Sequence, residues 1–306
     1  MKNVFSMKSI SAAVVAGILI LASCAKNNDV LNSGDVQNVN SESVSDSYTS
    51  ETSDMGASAV NAVTNSQYGG ARIAGDITAL VTAKDPRLTG ATITITPDVG
   101  STKDSPSGTI VINFGAGVTT NGVTRTGQII ISYIGRKWKV DAQRAITFSG
   151  YSRNNVQFDD GDKITITNVT DSLADKTIKY HHVLSGNFDG FAKLSFPGGS
   201  TILRQSDFYV TLDYTALTLT LSATTAPHSA SGTTRAGIDY TMDITDPIVY
   251  KATCLASKVF IPVSGTKIIT AGREYKIEYG NGDCDNTVTI TVGGKSATIT
   301  VNGDGN

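Results

Sequence analysis

The chain has 306 residues, of which 40% are hydrophobic and 17% are charged, and its formal net charge is -2 at pH 7. This hydrophobic content suffices for a folded core, and the near-neutral charge without a basic block argues against nucleic acid as a partner. Thr, Ile, Val, Ser, Asn and Gly are abundant, which favours strands and turns and predicts an all-β body.

The first 23 residues have the pattern of a secretory signal peptide. Lys2 and Lys8 precede an apolar run over 10–21, which is shorter than a helix needs to span a bilayer. We therefore expect export from the cytoplasm. The following Leu21-Ala22-Ser23-Cys24 resembles the lipobox of bacterial lipoproteins, which implies removal of residues 1–23 and lipidation of Cys24 as a membrane anchor. Ordinary cleavage that leaves Cys24 as a free thiol is the alternative.

Two segments separate this signal from the strand-rich part. Residues 24–53 are mainly Asn, Ser, Asp, Val and Glu without apolar periodicity, and we predict that they form the lipidated Cys and a disordered tether. Residues 54–90 carry apolar residues such as Ala59, Val63 and Ile77 at helical spacings. They predict one or two short helices with irregular chain, interrupted at Gly69-Gly70.

Alternation of apolar and polar residues dominates from residue 91 onward. It is clear in Thr92–Thr96, Lys163–Thr167 and Leu217–Leu221, and a period of two is typical of antiparallel strands with one buried face. Gly293-Gly294 between two such runs predicts a tight hairpin. We predict antiparallel, β-sandwich-like sheets, which two consecutive β modules over 91–199 and 200–306 would accommodate.

Two cysteines remain once Cys24 carries lipid. In an oxidising compartment, the even remainder predicts a disulfide between Cys254 and Cys284. Two buried thiols that act as small apolar side chains are the alternative.

Two groups of residues are candidates for ligand contacts. Asn281, Asp283 and Asp285 alternate as calcium ligands do, but the Gly and Glu of an EF-hand loop are missing, and turn formation is the alternative. A second Asp-rich turn, over 159–162, has the same two interpretations. We expect no bound metal and no other cofactor.

The single tryptophan, Trp138, lies near Tyr133 and Tyr151 in sequence. Aromatic faces at such a place can stack on a sugar or another flat ligand, whereas the alternative is a lone Trp that anchors the sheet core.

The catalytic patterns H-E-x-x-H, G-x-S-x-G and G-x-x-x-x-G-K-S/T do not occur in the chain. We therefore predict no catalytic residues and a binding or structural role that is not enzymatic. A surface glycan hydrolase built on paired carboxylates and a subunit of a surface assembly are the alternatives.

The run FGAGVTTNGVTRTGQIIISYIGRKW, which ends at Trp138, and YGNGDCDN over 279–286 resemble motifs of a family of β-rich lipoproteins from Bacteroidota. The likeness covers roughly residues 70–300. It implies a lipid-anchored protein of the outer membrane, facing either the periplasm or the outside, and it implies no activity. The expected partners are the membrane, through the lipid, and a glycan or a protein.

Overall fold

The computed structural model describes residues 33–68, 81–82, 85–171, 176–257, 259 and 261–300. The signal peptide, the lipobox with Cys24, Gly69-Gly70 and Ile77 lie outside these residues. Within the described chain, sixteen strands follow one long helix, and the strand pairs are antiparallel. The prediction of an antiparallel all-β fold is confirmed.

The long helix is α1 (Ser33–Tyr68), and short 3-10 helices span Pro86–Leu88 and Ala252–Ser257. The strands are β1 (Thr92–Pro97), β2 (Ser107–Thr120), β3 (Val123–Ile134), β4 (Gln143–Arg153), β5 (Val156–Phe158), β6 (Lys163–Asn168), β7 (Thr177–Ser185), β8 (Ala192–Ser195), β9 (Thr201–Asp213), β10 (Thr218–Ala223), β11 (Ala230–Thr233), β12 (Asp239–Lys251), β13 (Ser264–Ala271), β14 (Arg273–Asn281), β15 (Thr287–Val292) and β16 (Lys295–Thr300).

The chain divides into two compact units. The first unit comprises residues 52–171 and 180–205, and the described part of the second comprises 33–51, 176–179 and 206–300. In the first unit, strands β1 to β4 pair in chain order, and β4 also pairs with β5 and with β6. Strand β5 pairs with β8, and β6 pairs with β7. In the second unit, the order is β9-β10-β12-β13-β14-β15-β16, with β11 beside β12.

The core of the first unit follows the alternation seen in the sequence. In β2, every second residue points inward, so that Ile110, Ile112 and Phe114 are buried. The adjacent strands add fully buried isoleucines at 129, 131, 146 and 164. Burial of these side chains supplies the main favourable term for the fold of this unit.

The second unit contains the predicted hairpin. Strands β15 and β16 pair from Thr287 and Thr300 up to Val292 and Lys295, and Gly293-Gly294 makes the turn. Both glycines have positive φ, 56° and 77°, as a type I′ turn requires. The inward residues of β15 join a core that also holds residues of β12, β13 and β14.

Helix α1 occupies residues for which we expected a disordered tether. That prediction is wrong for 33–53, because the segment buries a row of mostly small side chains that carry little apolar signal. One row of buried positions recurs every three or four residues, as a helix face requires: Ser41, Ser45, Tyr48, Thr52, Met55, Ala59 and Ala62. Other residues of α1, such as Ser47, Glu51 and Val60, are also buried. None of the helices in the described ranges is long and apolar enough to cross a membrane.

Two threonine hydroxyl groups of α1 bond to the backbone of the helix itself. Thr49 Oγ1 donates to the carbonyl of Ser45 at 2.8 Å, and Thr64 Oγ1 donates to that of Val60 at 2.9 Å. Such bonds satisfy polar groups without water. In the second unit, the backbone N–H of Arg235 also donates to Ser41 Oγ at 3.2 Å.

The part of α1 in the first unit packs tightly on the sheet. A methyl group added at Gly56 would lie 2.8 Å from Cδ1 of Ile146, closer than ordinary van der Waals contact allows. Beside this contact, Asp54 of the helix forms an ion pair with Arg87, which also binds Asp85. The glycine and the ion pair together hold this end of α1 against the first unit.

Candidate functional site

Four side chains form a row across neighbouring strands of the first unit. Tyr133 of β3 pairs with Arg144 of β4, and Arg144 pairs with Ile166 of β6. Ile166 pairs in turn with His182 of β7. Because directly paired residues of antiparallel strands share a face, Arg144 lies on the same face as the core residues Tyr133 and Ile166.

Arg144 is buried without a complete set of hydrogen bonds. The residue is 8% exposed, and its Nε has no hydrogen-bond partner among the residues that the structure describes. A buried charged group that lacks a partner is costly, because it has lost water without replacement. The guanidinium is therefore suited to an acceptor supplied by a ligand.

A small pocket opens beside this guanidinium, and we call it the basic pocket. Its polar lining comes from Lys137, Gln143, Arg144 and Tyr180, and Val60, Ala142 and Ile166 supply apolar walls. The space at the pocket, with the open solvent at its mouth included, amounts to about 220 Å³. It combines an apolar enclosure with a few polar groups, as small-molecule sites do.

Neighbouring strands fix the polar groups of the basic pocket. The hydroxyl of Tyr180 and Nδ2 of Asn168 donate to the backbone carbonyl of Lys137, at 3.1 and 2.8 Å. The guanidinium carbon of Arg144 lies 5.8 Å from the centroid of the Tyr180 ring, within the range of a cation–π contact. Tyr180 thus contacts both cationic residues of the pocket.

Burial shapes the charge of these groups. It lowers the pKa of Lys137 below the usual value, and the charge of Arg144 adds to this effect. Burial also lowers the pKa of the Arg144 guanidinium, which still keeps its charge at neutral pH because its usual pKa is so high. The pKa of His182 falls to about 3 through burial and the charges of Arg144 and His181, so His182 is neutral at physiological pH.

The carboxylate of Asp54 acts electrostatically on both Arg144 and Lys137. Its ion pair, however, is with Arg87. Burial alone would lower the pKa of Arg87, but its hydrogen bonds and ion pairs with Asp85 and Asp54 raise it above the usual value. Asp54 therefore favours the charged forms of Lys137 and Arg144, although its own ion pair is with Arg87.

The aromatic contact site predicted from the sequence is wrong for two of its three residues. Tyr133 is 1% exposed and Tyr151 is 0% exposed, so neither can meet a ligand at the surface. Tyr151 packs among Phe114, Phe148 and Phe158 in the core. Trp138 is half-buried, and the guanidinium of Arg136 lies over its ring at 5.6 Å.

The calcium candidate forms a hydrogen-bonded turn. Asn281 Oδ1 accepts the N–H of Asp283 at 3.3 Å, and Asp285 Oδ1 accepts the N–H and hydroxyl of Thr287 at 2.8 and 2.7 Å. In the described chain, His, Cys, Asp and Glu side chains form no group of three or more that could hold a metal ion. These contacts match the turn role of Asp and Asn.

Cys254 and Cys284 form the predicted disulfide in the second unit. Their Cα atoms are 5.2 Å apart, across a sequence separation of 30 residues. Close to the bridge, Lys251 Nζ donates to the carbonyl of Gly282 at 2.6 Å. The bridge and this hydrogen bond both join the end of β12 to the loop after β14.

The second Asp-rich turn buries a carboxyl group in the first unit. Asp162 is 1% exposed, and it accepts the N–H of Lys193 at 2.9 Å and that of Asp159 at 3.2 Å. A methyl group added at Gly186 would lie 2.7 Å from Asp162 Oδ1, so the loop before β8 packs closely on this carboxyl. Burial, and to a lesser degree the charge of Asp159, raises the pKa of Asp162 to about 7, although the two N–H donors and the charge of Lys193 oppose the rise.

This shift predicts a pH dependence of stability. Because the pKa of Asp162 is higher in the folded chain than in the unfolded one, its contribution is complete below about pH 4 and disappears as the pH rises to about 7. We expect Asp162→Asn to remove up to about 4 kcal/mol of pH-dependent free energy of unfolding over this range. Urea unfolding of both proteins between pH 4 and 8 measures the difference.

Asp160→Asn is the matched control for this experiment. The exposed Asp160 carboxylate accepts the N–H of Gly150 at 2.7 Å in the same turn. The control should unfold with the pH dependence of the wild-type chain. Equal pH dependence of the Asp162→Asn variant and the wild type would contradict the prediction.

The sequence contains one signal for the basic pocket, and this signal is not part of a known motif. In Gln143-Arg144-Ala145-Ile146-Thr147-Phe148, the arginine is in phase with the inward residues Ile146 and Phe148. A charged residue on the apolar phase of a strand is unusual, because charged groups are rarely buried without a partner.

Comparisons of the chain with models of known families, with curated proteins and with solved structures give no match.

Proposed function

We propose that this chain is an exported, lipid-anchored protein of the cell envelope that binds an anionic ligand and does not catalyse a reaction. The anchor rests on the basic and apolar segments before Leu21-Ala22-Ser23-Cys24. The resemblance to β-rich lipoproteins of Bacteroidota supports a position at the outer membrane. The observation that carries the binding role is the buried Arg144 in the basic pocket, with no hydrogen-bond acceptor for its Nε in the described chain.

The energetics of Arg144 favour a ligand. Taking a guanidinium out of water costs several kcal/mol unless an anion and hydrogen-bond acceptors replace the water. The protein supplies a ring contact from Tyr180 and the more distant charge of Asp54, which is itself bound to Arg87. An anion in the basic pocket would supply acceptors that the described residues do not give to Nε.

The composition of the pocket also favours binding over hydrolysis. Its lining contains two cations, a tyrosine, a glutamine and apolar residues, with Lys137, Gln143, Arg144 and Tyr180 as the polar members. A glycan hydrolase generally works with two carboxyl groups on either side of the bond to be broken. The basic pocket instead provides the charges that hold an anion.

The binding role predicts stabilisation by anions. Ligands that bind the folded chain raise its stability according to their concentration and affinity. We expect sodium acetate or sodium sulfate to raise the unfolding midpoint of the full-length chain at constant ionic strength. A concentration of about 50 to 100 mM is roughly 100 times the dissociation constant of a ligand that binds in the submillimolar range. The increase should be smaller in the Arg144→Met variant, which keeps only the general stabilising effect of such salts, and an equal increase in both proteins would contradict the role of the pocket.

The anchor predicts a requirement for Cys24. Because the thiol of Cys24 would carry the lipid, Cys24→Ala should abolish incorporation of labelled fatty acid and retention in the membrane fraction. The double variant Cys254→Ala/Cys284→Ala is the control, since it keeps Cys24 and should retain the label. Labelling of the Cys24→Ala chain would overturn the proposed anchor.

A further inference from the structure

We infer that the ligand group in the basic pocket is a carboxylate, a planar anion with a single charge, and not a tetrahedral dianion such as sulfate. This inference rests on the proposed anion-binding role and specifies the chemical class of the ligand. The shape of the donor group, the charge balance and the walls of the pocket support it.

The shape of the donor comes from Arg144. A guanidinium offers parallel N–H donors in one plane, and this fork matches the two oxygens of a carboxylate. Pairing of Arg144 with Ile166 across β4 and β6 fixes where the side chain begins. The contact with the Tyr180 ring, at 5.8 Å, restricts where the guanidinium lies. The strand pairing and the ring contact therefore hold the guanidinium beside the pocket.

The charge balance in the pocket favours a monoanion. Arg144 supplies one permanent positive charge, while burial and the charge of Arg144 both disfavour the charged form of Lys137. Asp54 contributes a negative charge that acts on both cations. Its repulsion of a dianionic ligand is twice its repulsion of a monoanionic one at the same distance. The net positive charge available to the ligand is therefore small.

The walls of the pocket strengthen this preference. Val60 is 2% exposed, Ile166 is 1% exposed and Ala142 is 8% exposed, so the ligand would lie against buried apolar groups. The cost of moving an ion into such surroundings grows with the square of its charge in the Born description. A dianion would pay about four times the penalty of a monoanion, and the basic pocket lacks the cations to offset it.

Calorimetric titration of the full-length chain with sodium acetate and with sodium sulfate, at pH 7.5 and constant ionic strength, tests this inference. Both salts are fully ionised at this pH, so they differ in shape and charge and not in protonation. We expect the dissociation constant for acetate to be at least about ten times lower than that for sulfate, a preference of the size that bidentate recognition provides. Acetate binding should also weaken at least about tenfold in Arg144→Lys, which loses the guanidinium fork.

Arg136→Met is the matched control. Arg136 contacts the Trp138 ring and the backbone carbonyl of Lys103, and it does not line the basic pocket. Its acetate affinity should equal that of the wild type. Sulfate binding as tight as acetate binding in the wild type would overturn the carboxylate inference and leave the anion-binding proposal in place. Absence of binding for both salts would overturn both proposals.

Discussion

Replacing Arg144 with methionine is expected to raise the free energy of unfolding by about 1 to 3 kcal/mol while abolishing anion binding. Methionine keeps an unbranched chain of similar length against Ile166 and Val60, and it removes a charge that the fold buries. Exchange of buried charged groups for apolar ones of similar volume is often stabilising. Urea unfolding in a buffer without carboxylates or sulfate measures the change.

Two variants give this experiment its controls. Arg136→Met removes an arginine that contacts Trp138 outside the pocket, and it should change the free energy of unfolding by less than about 0.5 kcal/mol. Arg144→Lys keeps a polar, ionisable group at the buried position, so it should bring no gain in stability. A loss of 2 kcal/mol or more (about the cost of breaking a structural contact) in Arg144→Met would show that the guanidinium serves the fold and would argue against a binding role.

Removal of the disulfide should have the second large effect. The double variant Cys254→Ser/Cys284→Ser should lose about 3 to 4 kcal/mol of unfolding free energy, since the bridge closes a loop with a sequence separation of 30 residues. This is a large share of the stability of an ordinary domain, which is about 5 to 15 kcal/mol. Chemical unfolding followed by circular dichroism measures the loss.

Reduction of the wild-type chain provides the matching test. With excess reductant, the wild-type unfolding midpoint should move to that of the double variant, because both then lack the same covalent link. The midpoint of the double variant should not respond to reductant. Equal midpoints for the oxidised wild type and the double variant would contradict a stabilising bridge between Cys254 and Cys284.

The antiparallel strands could be predicted from the sequence because their signal is local. Alternation in Thr92–Thr96 and Lys163–Thr167 reports directly which side chains face the core, and the structure places β1 and β6 over these residues. The Gly293-Gly294 turn could be predicted equally well, because positive φ at two consecutive positions is a property of the turn itself. The Cys254–Cys284 pairing followed from the cysteine count and the expected compartment.

Helix α1 shows where hydropathy patterns fail. Its buried face contains Ser41, Ser45 and Thr52, which count as polar in any hydropathy scale. Small side chains allow close approach of the helix to its neighbours, and hydroxyl groups can bond to the helix backbone, so burial costs them little. Sequence periodicity could therefore predict a helix around Ala59 and Val63 but not its extension back to Ser33.

The candidate site required the tertiary structure. Arg144, Lys137 and Tyr180 lie on different segments, and register between β4, β6 and β7 brings Arg144 and His182 into one row. Local patterns carry no information on such pairing across the sheet. The same limit applies to Tyr133 and Tyr151, whose nearness to Trp138 in sequence suggested a shared surface although both are buried.

By itself, the sequence determined the class of the fold, the hairpin at Gly293-Gly294 and the cysteine pair, because side-chain alternation, turn geometry and residue counts are set within short segments. Only the tertiary structure decided that Arg144 is buried with no acceptor for its Nε among the described residues and that Asp162 is enclosed by the loop before β8. Burial and electrostatic environment depend on atoms from distant parts of the chain. The chemistry of the basic pocket therefore follows from packing.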